Sequence, residues 1–204
     1  MSDAYLQPYR EAQAEHGVGF DVTLWGRPQT QRRRFEVFAE MLDLGGKAVL
    51  DAGCSRGDFA AYLIEKNVAY KGYVGVDGVE EVVAFARERG LPRSRFVVGD
   101  FVKDPGLLKT GSPEVVSISG SLNTMDDATV NVVLEGAWAG CSETLVFNFL
   151  SDLATPAAPA QQYPARRLPT LKLLAWAAKK TGDVQMRQDY LGEGHDATIL
   201  MRKA

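Results

Sequence analysis

The stretch Val49-Leu50-Asp51-Ala52-Gly53-Cys54-Ser55-Arg56-Gly57-Asp58-Phe59 reads as an apolar strand, a glycine-bearing turn and the opening of an amphipathic helix whose Phe59 and Leu63 pack inward. Glycines let the backbone approach a ligand closely, and the free N–H groups of a helix start favour an anionic or acceptor-rich one. A dinucleotide fingerprint would read GxGxxG. Here Gly53 and Gly57 stand four apart, and the strand ends in an acid, Asp51. A carboxylate at that point suits a ligand with an ammonium group better than one with a second phosphate.

Outward from this turn, apolar runs of strand length alternate with helical stretches, the pattern of βαβ units around a parallel sheet. The predicted strands are 48–51, 73–77, 95–99, 114–118, 144–149, 184–190 and 196–202, with helices near 57–67, 79–89, 126–138 and 169–181. The 79–89 helix has Glu80 and Glu81 in its first turn, Arg87 and Arg89 in its last and Gly90 behind it, so its charges complement the helix dipole. The last two strands form a hairpin through Leu191-Gly192-Glu193-Gly194-His195. Before the sheet, Tyr5, Leu6, Tyr9 and Ala12 recur at helical spacing from Ser2 to about Glu15, and a second helix runs from Pro28 to Leu44. Residues 151–169 hold four of the nine prolines and no period, which predicts a long loop or lid after a strand end.

Two further acids end strands in step with the first. Asp77 lies twenty positions after Gly57 (77 − 57), placed to accept hydrogen bonds from both hydroxyls of a ribose. Asp100-Phe101 follows the third strand, where an acid can take an adenine amino group and a ring can cover the base. Any one such acid also serves as a helix cap. Three of them in series with the glycine turn are harder to explain that way.

Composition bounds the rest. The chain has 204 residues, 46% apolar and 24% charged, which fits one domain around one core. No window approaches the roughly 18 to 20 uncharged apolar residues of a membrane span, and Met1 to Tyr5 lacks the basic and apolar regions of a signal peptide, so a cytoplasmic protein is expected. A net charge of −3 makes nucleic acid an unlikely partner, because phosphate-driven affinity needs concentrated Lys and Arg. Cys54 and Cys141 lack the CxxC spacing of a zinc or redox site; no metal is expected, and both thiols should be buried and reduced.

With these residues in place, the chain resembles the class I S-adenosylmethionine-dependent methyltransferases, whose first strand and turn read roughly (D/E)xGxGxG. Asp51, Gly53, Ser55 and Gly57 occupy those places, Ser55 standing for the middle glycine. The resemblance covers about 47–204. It implies a Rossmann-like α/β fold with seven mostly parallel strands, helices on both faces and a C-terminal antiparallel hairpin. It also implies S-adenosyl-L-methionine as cofactor, held by Asp51, Gly53, Cys54, Ser55, Gly57, Asp77, Gly78, Asp100, Phe101, Ser119 and Gly120. Enzymes of this family that methylate amino groups of bases or a glutamine amide often carry (N/D)PPY after the fourth strand. This chain has Ser119-Gly120-Ser121-Leu122 instead, which disfavours those acceptors.

Further candidates each have a plain alternative. Arg34 suits a bidentate grip on the cofactor carboxylate, or a solvated helix face. Trp25 suits the pocket roof, or core packing. His195 and His16 are the only histidines and the only side chains whose ordinary pKa fits base work near neutrality; each is equally an ordinary loop residue. Tyr163, Arg166 and Arg167 in the 151–169 segment are expected to face the acceptor, the arginine pair suiting a carboxylate or phosphate, and Asn123 and Asn148 to orient it. The expectation is one unit, residues 1–46 a cover and 47–204 the core with its lid. Its expected activity is methyl transfer to an O, N or C nucleophile of a small, acidic molecule. A methyltransferase of RNA or protein, and a cofactor-binding module without transfer activity, stay open beside it.

Overall fold

The computed structural model describes residues 3–192 and 194–204. Seven strands, β1 Ala48–Ala52, β2 Gly72–Asp77, β3 Ser94–Val98, β4 Val115–Ser119, β5 Thr144–Leu150, β6 Asp183–Arg187 and β7 Asp196–Arg202, form one sheet in the order β3-β2-β1-β4-β5-β7-β6. β1 to β5 pair in parallel, whereas β7 runs antiparallel to both β5 and β6. Strand order reverses between β1 and β4. At such a switch point the connections leave in opposite directions and open a crevice beyond the carboxyl ends of the strands.

Among the described residues six helices flank the sheet: α1 Gln7–His16, α2 Pro28–Met41, α3 Asp58–Glu65, α4 Glu80–Glu88, α5 Asp127–Gly140 and α6 Thr170–Lys180. Because side chains alternate along a strand, the apolar strands feed two cores. Val49, Val146 and Leu200 pack with Phe38, Phe59 and Val83 from α2, α3 and α4. Leu50, Phe147 and Ile199 point the other way, to Val133, Leu134 and Ala177 from α5 and α6. Both faces are covered, which is why these strands read as near-continuous apolar runs rather than alternating ones.

Several boundaries differ from the sequence expectation for identifiable reasons. Helix α1 begins at Gln7, where Pro8 occupies the first turn; the expected start at Ser2 lies outside the described residues. Helix α2 stops at Met41, since Leu42 is already extended and Asp43 turns back to accept the Gly45 N–H. β6 ends at Arg187, because the Gln188 amide bonds the Leu153 and Gly194 carbonyls and Tyr190 reaches Thr198. Short 3-10 turns at Phe20–Thr23, Pro105–Lys109 and Ser121–Thr124 had no signal. The segment after β5 is a loop closed at its base: Ser151 bridges Leu168, the Leu168 N–H donates 2.7 Å to the Leu150 carbonyl, and the Ser151 and Thr170 hydroxyls meet at 2.6 Å.

Candidate active site

A cavity of about 360 Å³ opens at the switch point, over the ends of β1 to β4 and under α1, the start of α2 and the 151–168 loop. Its floor is the glycine turn. Gly53 and Cys54 donate their N–H groups to the Val76 carbonyl, at 2.8 and 3.1 Å, which ties the turn to β2. Gly53 has φ +82°, and a Cβ there would fall 1.8 Å from Ser121 Oγ. Ser55, at φ 45°, holds a left-handed conformation that side chains disfavour.

Three carboxylates stand around this floor. Asp77 accepts the Ser55 N–H at 2.8 Å on one oxygen and the Val79 N–H at 3.0 Å on the other. Burial raises its pKa despite these donors. Asp51, fully buried at the end of β1, accepts the Tyr73 hydroxyl at 2.5 Å and the Ser117 hydroxyl at 3.1 Å. Burial pushes its pKa up to about 6, against the pull of those two hydroxyls. Asp100 accepts the Tyr5 hydroxyl on both oxygens, at 2.7 and 2.8 Å, with Phe101 buried beside it.

The opposite wall holds a buried ion pair. The Arg34 guanidinium lies 4.0 Å from the centre of the Trp25 ring, and its Nε donates 2.7 Å to Asp196 Oδ1, which Nη2 also reaches. Nη1 is buried and has no partner among the described residues. Trp25 in turn lies on Gly120, where a Cβ would meet its ring at 2.2 Å. His195 lines the same wall, its Nε2 3.6 Å from Asp196 Oδ2. Of the lining groups, Asp51 and Asp77 lie at the ends of β1 and β2 and Asp100 just past β3, whereas Arg34 and His195 meet Asp196 at the start of β7 and Arg167 lies beside the Leu150 end of β5.

Of the residues expected from sequence, Arg34, Asp51, Gly53, Cys54, Ser55, Asp77, Gly78, Asp100, Phe101, Ser119, Gly120, Trp25, Asn123, Arg167 and His195 line this cavity. Others are displaced. Gly57 is a packing glycine, its open side filled by the Phe96 ring at 2.9 Å from a would-be Cβ. His16 is exposed at the end of α1, outside the lining. Asn148 sits one layer back, donating 3.0 Å to Ser119 Oγ. Tyr163 is 85% exposed. Arg166 turns away to the Met125 carbonyl at 2.5 Å and to Asp127. The bidentate reach of Arg34 is taken by Asp196, which leaves the cavity one prong.

Sequence reasoning missed Tyr5, Leu6 and Tyr9 as site residues, although their spacing had marked the helix. It also missed Tyr73 and Ser117 beneath Asp51, whose pairing needs the strand register. Leu6 closes on Gly78, its Cδ1 2.9 Å from a Cβ placed there.

Residues 49–141 match the family model described as a methyltransferase domain. The fold is shared with the magnesium protoporphyrin IX methyltransferase of Synechocystis PCC 6803 with bound S-adenosylmethionine, at TM-score 0.67 and 14% identity over 99% of this chain and 92% of that one. The 49–141 segment is thus similar to a methyltransferase domain, and the chain shares the fold of a methyltransferase solved with S-adenosylmethionine bound. The methyltransferase fold also aligns with the plantazolicin methyltransferase BpumL in complex with S-adenosylhomocysteine, at TM-score 0.70 and 15% identity over 98% and 95% of the two chains. A phosphoethanolamine N-methyltransferase of Haemonchus contortus, in complex with phosphoethanolamine and S-adenosylhomocysteine, aligns at 0.71 and 14% over 99% of this chain and 49% of that one. Among curated sequences, a probable methyltransferase of Arabidopsis thaliana, PMT22, is 39% identical over 61 residues, 29% of this chain; the chain spans about a tenth of that relative's length. No described helix is long and apolar enough to cross a membrane.

Proposed function

We propose that this methyltransferase transfers the methyl group of S-adenosylmethionine to an O, N or C nucleophile of a small, acidic acceptor. In this reading the chain works as one cytoplasmic unit, with residues 1–46 over the cofactor and 151–169 over the acceptor. The observation that carries the reading is the separation of charge within one cavity, with carboxylates at the ends of β1 to β3 and, across from them, Arg167 without a carboxylate partner among the described residues. A cofactor with an ammonium, a sulfonium and an adenine amino group suits the carboxylates, and an anion suits Arg167. Neighbours of the same fold include enzymes named for small acceptors, phosphoethanolamine and magnesium protoporphyrin IX.

The residues fit such a cofactor. Asp77 would take the ribose hydroxyls, Asp100 and Phe101 the adenine, and the backbone of Gly53, Cys54, Ser55, Gly78, Ser119 and Gly120 the remaining edge. The buried, unpartnered Arg34 Nη1 would meet the carboxylate at a single point, and Asp51 would supply the charge opposite the ammonium. The bound cofactor brings an already electrophilic methyl group. The chain then has to align the acceptor in line with it and exclude water, which is the part assigned to Trp25, Asn123 and the loop. His195, which lines the cavity, would hold the proton of an acceptor that must lose one.

Titration calorimetry with S-adenosylmethionine tests the core of this reading on the parent and on Asp77→Ala. Binding by the parent and none detectable by the variant is expected. No binding by the parent, or equal binding by both, refutes it.

A further inference from the structure

We propose that Arg167 is the residue that selects the acceptor, its guanidinium binding a carboxylate or phosphate on that molecule. The proposal rests on the methyltransferase reading and names what its acceptor must carry. Four basic side chains line the cavity, and their circumstances differ. Arg34 is neutralised by Asp196 in a buried pair. Arg27 is exposed at the rim. His195 has Asp196 within 3.6 Å. Arg167 has no carboxylate partner among the described residues, only the Pro159 carbonyl, 2.7 Å from Nη2, and its Nε is buried without any partner. A buried guanidinium N–H left unpaired is costly, and a planar oxyanion is the group that satisfies it best.

The position is also rigid, although it lies on a loop. Arg166 donates its N–H to the Asn123 carbonyl at 2.9 Å, Leu168 donates to the Leu150 carbonyl at 2.7 Å, and the Arg167 N–H itself takes Gln161 Oε1 at 3.0 Å. Arg167 thus sits between two residues stitched to the end of β5 and the turn after β4. Its neighbour Arg166 is held on the other side by Asp127. Two adjacent arginines therefore divide their work: one fastens the loop to α5 and one faces the cavity. A cation held in place before binding loses little freedom when the anion arrives.

Calorimetry on protein saturated with S-adenosylhomocysteine separates this idea from the reading beneath it. The probes are benzoate, succinate and methylphosphonate against benzamide and succinamide, on the parent, Arg167→Gln and Arg166→Gln. The parent should bind at least one acid about tenfold or more tightly than the neutral amides, the usual worth of a hydrogen bond to a charged group. The carboxylate and phosphonate arms tell which oxyanion is preferred. Arg167→Gln should lose the preference while keeping its affinity for S-adenosylhomocysteine, and Arg166→Gln, which loosens the loop but removes no cavity cation, should still prefer the acid, though less strongly. The proposal is overturned if no acid is preferred by protein that binds S-adenosylhomocysteine, or if Arg167→Gln retains the preference. Failure of the parent to bind S-adenosylhomocysteine would instead sink the methyltransferase reading.

Discussion

Asp51 is a carboxylate kept in a place that resists its charge, and replacing it with Asn should make the protein more stable and a worse binder at once. Its pKa is about 6 in the fold against an ordinary 3.8, because burial outweighs the hydroxyls of Tyr73 and Ser117. The folded state therefore holds a proton that the unfolded chain has released, and stability falls as pH rises through that interval. A shift of about 2 pKa units corresponds to roughly 3 kcal/mol lost by pH 7. Asn keeps an acceptor for Tyr73 and an amide for Ser117 but has no charge to bury. Denaturant melts of parent and Asp51→Asn should nearly coincide at pH 4 and diverge by about 2 to 3 kcal/mol at pH 7, the variant being the more stable. Asp77, also raised by burial, adds to the rise of Asp51 through its charge, so the pH-dependent difference reads Asp51 together with its coupling to Asp77. Calorimetry at pH 7 should show weaker cofactor binding by the variant, since the charge opposite the ammonium is gone. A difference that does not change with pH, or a variant less stable at pH 7, would refute the claim that burial dominates this site.

Three other substitutions test the frame around the cavity. Arg34→Met alone should cost about 3 to 5 kcal/mol by stranding Asp196, and Arg34→Met with Asp196→Leu should recover most of it, as buried pairs do when both charges leave; chemical denaturation measures both, and equal losses in single and double variants would count against a coupled pair. Ser55→Gly should stabilise by up to about 1 kcal/mol by relieving a left-handed side-chain residue, with cofactor affinity changed less than threefold; a destabilised variant would mean that the Ser55 side chain contributes something beyond its backbone.

The sheet was legible because its information is local. Glycine turns, apolar runs and terminal helix charges each declare themselves within a few residues, and the three strand-end acids repeat at the spacing of a βα unit. The acidic wall of the cavity came with them. The opposite wall was read less well, since proximity between distant segments decides it. Arg34 and Asp196 are 162 positions apart; the helical period that puts Arg34 on the Phe35 and Phe38 face of α2 says nothing of the carboxylate it meets there. Arg166 and Arg167 look alike in sequence; only the main-chain bonds to Asn123 and Leu150 fix which one faces the cavity. Tyr5 and Leu6 carried the right pattern for a helix, yet their contacts with Asp100 and Gly78 depend on where that helix is laid. Asn148 failed for a simpler reason: it sits on a strand that ends near the cavity, but its neighbour Ser119 stands in front of it.

The closed base of the 151–168 loop has a consequence for how such a protein changes over time. Since Ser151 and Leu168 meet on the sheet, the residues between them form a detachable insert whose ends are fixed regardless of its contents. The entropy of closing a loop grows only with the logarithm of its length, about 0.6 kcal/mol for each doubling. Insertions or exchanges within 153–165 would thus leave the glycine turn, the strand ends and the cofactor wall untouched. On the proposed reading, the part of the acceptor cover held by 153–165 can be rewritten while Arg167, the glycine turn and the strand ends are kept, a cassette that the fold tolerates cheaply.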